Sequence, residues 1–423
     1  MKIFLISIIS LFTIAANGQI NSYLTDLKAL KDVIEAIPSF KVQIRGEKRL
    51  AYNDLYKRLA SDSVHKLNSY TYFYNLAQLL FPIRDNHLGF YQLPDYSHFR
   101  TKESIDSFVA SKEFLDYPTS SVNIDSLRIN LESKPIESIE GIYHYDTFYR
   151  VGLYSSGPME YSGVVLDSDT SLWRTGQIAI HLYAYAPGLY KAVYGHPLSK
   201  NFLLQTHEKY QHGALVNSYF YGSYSQRVYS KELQLYDHVN LPKGRSRFEL
   251  KNLNNQVQYI LIQSFQANKA TQRESLRFYD SIENALTAPA LIVDLRNNEG
   301  GARKEMKKYY RLLKKYVRKG QVYILMNNST ISQAEIFTLK LLKLKRVTTA
   351  GQNTKGMLTY GSNYGKRIRL PSGRFEIYPT DMNDNAKLLP YEDHGIRPDI
   401  ELSADRNWIE QLVEIIQQRQ DQK

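Results

Sequence analysis

Two loops that each join a predicted strand to a predicted helix hold the residues best suited to chemistry. The first is Asp294-Leu-Arg296-Asn-Asn298-Glu-Gly300-Gly301, which ends the predicted strand Ala290–Asp294 and enters a basic helix. Paired glycines let the backbone approach a ligand closely, and N–H groups at a helix start can face a developing negative charge. Gly300 is therefore a candidate oxyanion donor, with a plain tight turn as the alternative. The second loop is Asn327-Asn-Ser-Thr-Ile-Ser332-Gln333-Ala-Glu335. Ser332 and Glu335 form a capping box, which accounts for both on structural grounds alone. As a nucleophile, Ser332 at the helix start would place the Gln333 amide beside the attacked carbonyl, sharing the oxyanion with Gly300.

Two further segments, Gly351-Gln-Asn-Thr354-Lys355-Gly356 and Glu392-Asp-His394-Gly395-Ile-Arg-Pro398-Asp399, complete a series of four motifs. In order and spacing the series resembles the core of the carboxyl-terminal-processing (tail-specific) serine peptidases. That resemblance implies an α/β fold with a crotonase/ClpP-like spiral β/α catalytic core, a nucleophile at Ser332 and oxyanion donors at Gly300 and Gln333. One position departs from the pattern. Where the tail-specific branch carries its general-base lysine, one residue after Gly356, this chain has Met357, whose thioether accepts no proton, and Lys355 lies two residues earlier.

The chain resembles instead the tricorn-like branch, in which a histidine from the N-terminal helical region is the base and a glutamate before Gly-x-x-Pro-Asp supports it. His87 and Glu392 occupy those places, and Asn86 stands where that branch has a relaying serine. An imidazole, with an ordinary pKa of about 6.5, suits a base working near neutrality, and a carboxylate partner fixes its tautomer. His394 is the competing imidazole and Lys355 the competing amine. The resemblance implies a polypeptide substrate and no cofactor or metal; a pseudoenzyme that binds peptides or ligands on the same fold is the rival reading.

These residues need elements to position them. Apolar residues at helical spacing from Ser22 to about Leu80 predict an N-terminal helical region closing on a loop that carries His87. Residues 95–140 read as short helices and connections, and 141–250 as a Tyr-rich β module, a sandwich or barrel, whose tyrosines pack the sheet or, less simply, bind glycans. Asp167-Ser-Asp169 lacks the glycine and glutamate of a calcium loop and reads as a turn. From 251 to 423 strands alternate with helices: Gln258–Ile262, a helix through Leu286, Ala290–Asp294, a basic helix through Val317, Val322–Met326, a helix over 332–344 and a last one over 407–418.

The remaining expectations come from composition. Met1-Lys2 followed by an apolar run to about Ala16 reads as a signal peptide over 1–18, cleaved near Gln19, so that 19–94 begins an exported, periplasmic or extracellular protein with no membrane span. The sequence has no cysteine, which excludes disulfides and a thiol nucleophile. Its formal net charge of +12 comes from 54 Lys and Arg against 42 Asp and Glu, with basic residues distributed along the chain and no nucleic-acid motif beside them. Nucleic acid is therefore not an expected partner. The basic helix over 304–319 reads as a solvated face or as a contact for a peptide's terminal carboxylate.

Overall fold

The apolar spacing of the first part of the chain is realised as helices over 22–36 (α1), Pro38–Gln43 (α2), Glu47–Ala60 (α3) and Tyr70–Gln78 (α4), which bury Leu27, Leu30, Leu59, Phe73 and Leu76. The computed structural model describes residues 22–62, 66–225, 227–233, 237–242, 244–363, 365–382 and 386–421; the expected signal peptide lies outside them. The chain forms two compact units, Met1–Leu233 with Tyr360–Asp384 and Gln234–Thr359 with Asn385–Lys423. Residues 360–384, which the sequence assigns to one core over 251–423, thus belong to the first unit.

In the first unit, short helices Lys102–Val109 (α5), Lys112–Leu115 (α6) and Ile124–Glu132 (α7) precede a run of antiparallel strands. These are Gly141–Tyr145 (β2), Tyr149–Gly157 (β3), Glu160–Ser168 (β4), Ile178–Ala186 (β5), Leu189–Gly195 (β6), Phe202–Gln211 (β7) and Ala214–Leu215 (β8). These strands close on themselves, as the barrel reading expects: β8 pairs with β7, and Ser230 bridges Ala214 of β8 to His144 of β2. Gly89–Gln92 (β1) pairs with β7, Phe375–Tyr378 (β15) pairs with β1, and Ile368–Arg369 (β14) pairs with β15. Sequence proximity could not suggest that pairing, because β1 and β15 come from distant parts of the chain and meet only through register, Gly89 opposite Tyr378. Tyr143, Tyr145, Tyr149, Tyr194 and Tyr229 are all buried in this unit's core, as the packing reading of the tyrosines requires. Asp167 lies in β4 rather than in a turn, and Arg128 and Arg150 hold its carboxylate.

His181 on β5 is half-buried, with its Nε2 shut off from solvent, and stacks on Tyr70 with 3.8 Å between ring centroids. Desolvation pushes its pKa down to about 3, so the native state holds it neutral where the unfolded chain would protonate it. Its contribution to stability is complete above the ordinary value of 6.5 and is lost as pH falls from there toward about 3. His181→Phe keeps the stack and removes the titration. The unfolding temperature of the wild type, relative to this variant, is expected to fall steadily between those pH values, by the equivalent of a few kcal/mol (about 1.4 per pH unit). A constant difference would assign the acid sensitivity elsewhere.

The second unit is a layered α/β structure. Its sheet contains Phe248–Asn252 (β9), Val257–Ile262 (β10), Ala290–Asp294 (β11), Gln321–Met326 (β12), Val347–Gly351 (β13) and Ile400–Glu401 (β16), in spatial order β16-β13-β12-β11-β10-β9. All neighbours are parallel except β9 and β10. Helices Lys269–Ile282 (α8), Arg303–Tyr316 (α9) and Gln333–Leu341 (α10) follow β10, β11 and β12, and their apolar residues share one core with Ile260, Val293 and Ile324. Trp408, Leu412 and Ile416 of Trp408–Asp421 (α11) pack with Tyr259, Ile292 and Leu325 on the other face. With both faces covered, the central strands are apolar without alternation. Each crossover adds the next strand on the same side, the β/α progression expected of the core.

Candidate active site

The parallel strands end in the loops that carry the chemistry, since crossover connections place successive loops at one end of a parallel sheet. After β11, Asp294 and Arg296 form a buried ion pair, with Nη2 2.8 Å from Oδ2, and the Tyr259 hydroxyl donates to the same oxygen at 3.0 Å. This pair fixes where the chain leaves the strand. Asn298 then organises the turn. Its Nδ2 donates to the Ile262 carbonyl at 2.8 Å, its Oδ1 accepts from the Gly300 N–H at 2.9 Å, and its carbonyl accepts from the Ile331 N–H at 3.0 Å. The glycine loop is thereby tied to the residue preceding Ser332.

After β12, the Asn327 side chain accepts from the backbone of Asn297 and Ser329, and the Thr330 hydroxyl donates to the Leu295 carbonyl at 2.9 Å. The chain arrives at Ser332 with φ 58° and ψ −118°. An N-cap serine ordinarily has extended backbone. A non-glycine residue held in this region costs about 1–3 kcal/mol, and such strain between a strand and a helix is the geometry of a nucleophile elbow, which pushes the hydroxyl out of the turn. Ser332 is half-buried. Gly300 packs directly against it: a methyl group there would lie 2.8 Å from the Gln333 nitrogen and 3.0 Å from Ser332 Cβ, so only glycine fits.

Glu335 is fully buried and does far more than cap the helix. Its carboxylate accepts from the Ser332 N–H at 2.9 Å, the Thr354 hydroxyl at 2.6 Å, the Gly356 N–H at 2.8 Å and the Met357 N–H at 3.0 Å. Burial raises its pKa, and these donors oppose the rise. The third motif is thus fastened under the serine through one side chain. The fourth motif locks onto the third. The Thr354 hydroxyl accepts from the Ile396 N–H at 2.7 Å, and a methyl on Gly395, at φ 74°, would fall 2.0 Å from the Thr354 carbonyl oxygen. Asp399 accepts from both the backbone and the hydroxyl of Thr349, at 2.8 and 2.9 Å. Glu392, buried, accepts from the N–H groups of Leu358 and Thr359 at 3.1 and 2.9 Å.

Of the residues singled out from sequence, Ser332, Gly300, Gln333 and Glu392 lie in the second unit, the first three in direct juxtaposition. His87 and Asn86 lie in the first. There His87 is half-buried in a turn between α4 and β1, as expected. Gln43 fastens the turn by donating to the Arg84 carbonyl and accepting from its N–H, Asn86 Oδ1 accepts from Thr206 at 3.3 Å, and the Thr380 hydroxyl donates to the buried Asp85 at 2.6 Å. Desolvation lifts the Asp85 pKa to about 6, against nearby donors that include the His87 and Leu88 backbone. His394 is exposed. One expectation changes: the Gly300 N–H, assigned to the oxyanion, is engaged by Asn298. Sequence reasoning missed Asn298, Asn327 and the wider role of Glu335, for which Ser332-x-x-Glu335 gave only the capping signal. Among the described residues no cluster of three or more His, Asp or Glu could hold a metal ion.

A strained serine between a parallel strand and a helix, faced by a glycine loop, defines the class: the second unit has the framework of a serine-type hydrolase core. Residues 256–317 and 302–402, the stretch that contains all four motifs, match the model of peptidase family S41, which supports a serine-type peptidase. No curated protein matches. Among solved structures, the photosystem II D1 C-terminal processing protease is similar at 13% identity, covering 93% of this chain and 97% of that one, with a TM-score of 0.37. Mature CPAF is similar at 11% identity over 94% and 96%, with a TM-score of 0.41. A lipoprotein from Streptococcus agalactiae is 21% identical over 41% of this chain and 71% of its own, with a TM-score of 0.29.

Proposed function

We propose that the protein is an exported peptidase that cleaves polypeptides through an acyl-enzyme, with Ser332 as nucleophile, His87 as general base and Glu392 supporting the imidazole. The observation that carries this reading is the backbone of Ser332, held at positive φ by Glu335 and pressed against Gly300. Ordinary helix capping requires none of that strain. In this scheme His87 takes the hydroxyl proton, the alkoxide attacks the peptide carbonyl, and the Gln333 N–H receives the oxyanion. Gly300 joins it by releasing or sharing the hydrogen bond to Asn298 as charge develops. Returning the proton to the leaving amine and adding water frees the acyl group and the serine. Asn86 supports the imidazole through its amide. Met357 stands where the tail-specific branch has its lysine, which is why the base is sought elsewhere.

A fluorophosphonate probe tests the nucleophile. Stoichiometric labelling of the wild type that disappears in Ser332→Ala is the expected result. An unlabelled but folded wild type would instead favour a peptide-binding pseudoenzyme on the same scaffold. Export is tested separately by the N-terminus of the mature protein, expected near Gln19.

A further inference from the structure

The basic residues run along the whole chain, but the surplus of positive charge does not. Between Arg303 and Arg346 there are thirteen lysines and arginines and only two acidic residues, Glu305 and Glu335, a surplus of eleven in a chain whose net charge is +12. Glu335 is buried in the active site and Glu305 pairs with Lys308, so neither screens the others. The remainder of the molecule is close to electroneutral.

The fold gathers this surplus on one surface of the second unit. On α9, Met306, Tyr309, Leu312, Leu313 and Tyr316 turn into the core at helical spacing, which leaves Arg303, Lys304, Lys307, Arg311, Lys314 and Lys315 exposed. Neighbouring α10 and the segment after it add Lys340, Lys343, Lys345 and Arg346. Their proximity is direct: desolvation and then the charges of Arg303, Lys343 and Lys307 lower the pKa of Lys340. The Arg346 guanidinium also reaches the Arg318 carbonyl at 3.3 Å. The facing helix α8 brings Asp280 and Glu283 to the flank, near Tyr279 and Arg311. Like charges so crowded repel one another, a cost that a polyanionic partner relieves.

We propose that the outer face of α9, with the adjoining end of α10, docks on an anionic lipid surface. Three features favour lipid over other polyanions. Nine of the thirteen cations are lysines, mobile point charges suited to a fluid array of headgroups, whereas planar bidentate recognition favours arginine. Tyr309 and Tyr316 are buried and Tyr310 is half-buried, so the face presents no aromatic platform for nucleobases. Seven of the cations also lie along one helix about 21 Å long, a broad contact rather than a pocket. Among the described residues no helix is long and apolar enough to cross a membrane. The attachment proposed is peripheral, electrostatic and sensitive to salt.

The test is co-flotation of the full chain with phosphatidylcholine vesicles, with and without phosphatidylglycerol. The wild type is expected to float only with the anionic vesicles and to be released at high salt. Lys304→Glu, Lys307→Glu, Lys314→Glu and Lys315→Glu combined should lower the partition coefficient at least about tenfold. A control with the same change in charge at exposed lysines elsewhere, Lys48, Lys102, Lys269 and Lys387 to Glu, should stay within about twofold of wild type. Failure of the wild type to bind, or equal loss in the control, overturns the proposal. So does displacement from the vesicles by polyglutamate or an oligonucleotide at matched charge, which would assign the face to that polymer. Fluorophosphonate labelling of each variant confirms an intact fold independently of lipid.

Discussion

His87→Gln is expected to lower kcat/KM for peptide hydrolysis by about 10⁴-fold or more, with KM little changed. Loss of the base from a serine-centred unit is among the largest single-residue effects in hydrolases, because the hydroxyl then carries its proton into the attack. Glutamine preserves much of the ring's bulk and hydrogen bonding, so the Asp85 and Asn86 turn should persist. Two companions make the result specific. Lys355→Ala and His394→Gln should each retain activity within a few-fold, because the proposed proton path uses neither. A wild-type kcat/KM that falls with acid would fit an imidazole that must be neutral to act. If His87→Gln stays active while Lys355→Ala is dead, the base is the amine and the tricorn-like reading is wrong. His87 and Ser332 belong to different compact units, so this kinetic test bears directly on the proposal.

Changing Glu335 should have the second largest effect, through position rather than proton transfer. Glu335→Ala removes the acceptor for three backbone N–H groups and one hydroxyl at a fully buried point. Donors left unsatisfied in the interior cost about 1–3 kcal/mol each, so this variant should unfold at a much lower temperature and show no labelling. Glu335→Gln is the informative partner. Its amide can still accept on one side, and the Thr354 hydroxyl can rotate to accept from the other. The new NH₂ must nonetheless face at least one backbone N–H. The variant should fold, with stability lower by about 1–3 kcal/mol, and its kcat should drop about 10–100-fold at nearly unchanged KM. That split marks a residue that shapes the serine turn and the loop at Met357. Wild-type kcat in a folded Glu335→Gln would reduce Glu335 to a helix cap.

Much of the second unit was legible in the residues. Ala290–Val293 is apolar without interruption because both faces of the strand are covered, and the glycines and asparagines beyond Asp294 mark the turn that a crossover connection needs. The basic face of α9 was legible as a helix for the same reason, its apolar residues recurring at helical spacing. The first unit was less legible. The alternation over 141–211 announced strands, but their closure depends on Ser230, which bridges Ala214 of β8 to His144 of β2. β1 and β15 extend the sheet from distant parts of the chain, and no local signal encodes that pairing.

The active site divides in the same way. The identity of Ser332, the glycine loop, the absence of a lysine at 357 and the lack of cysteine follow from the order of residues alone, because they state which functional groups exist and in what local conformation. Tertiary structure decided what those groups do to one another: Asn298 engages the Gly300 N–H, and Glu335 binds the serine turn to a loop about twenty residues downstream. It also gathered nearly all the surplus charge onto one surface. A sequence names its donors, acceptors and charges, but hydrogen bonds and electrostatic fields act over a few ångströms of space, and only the packed chain determines which groups come that close.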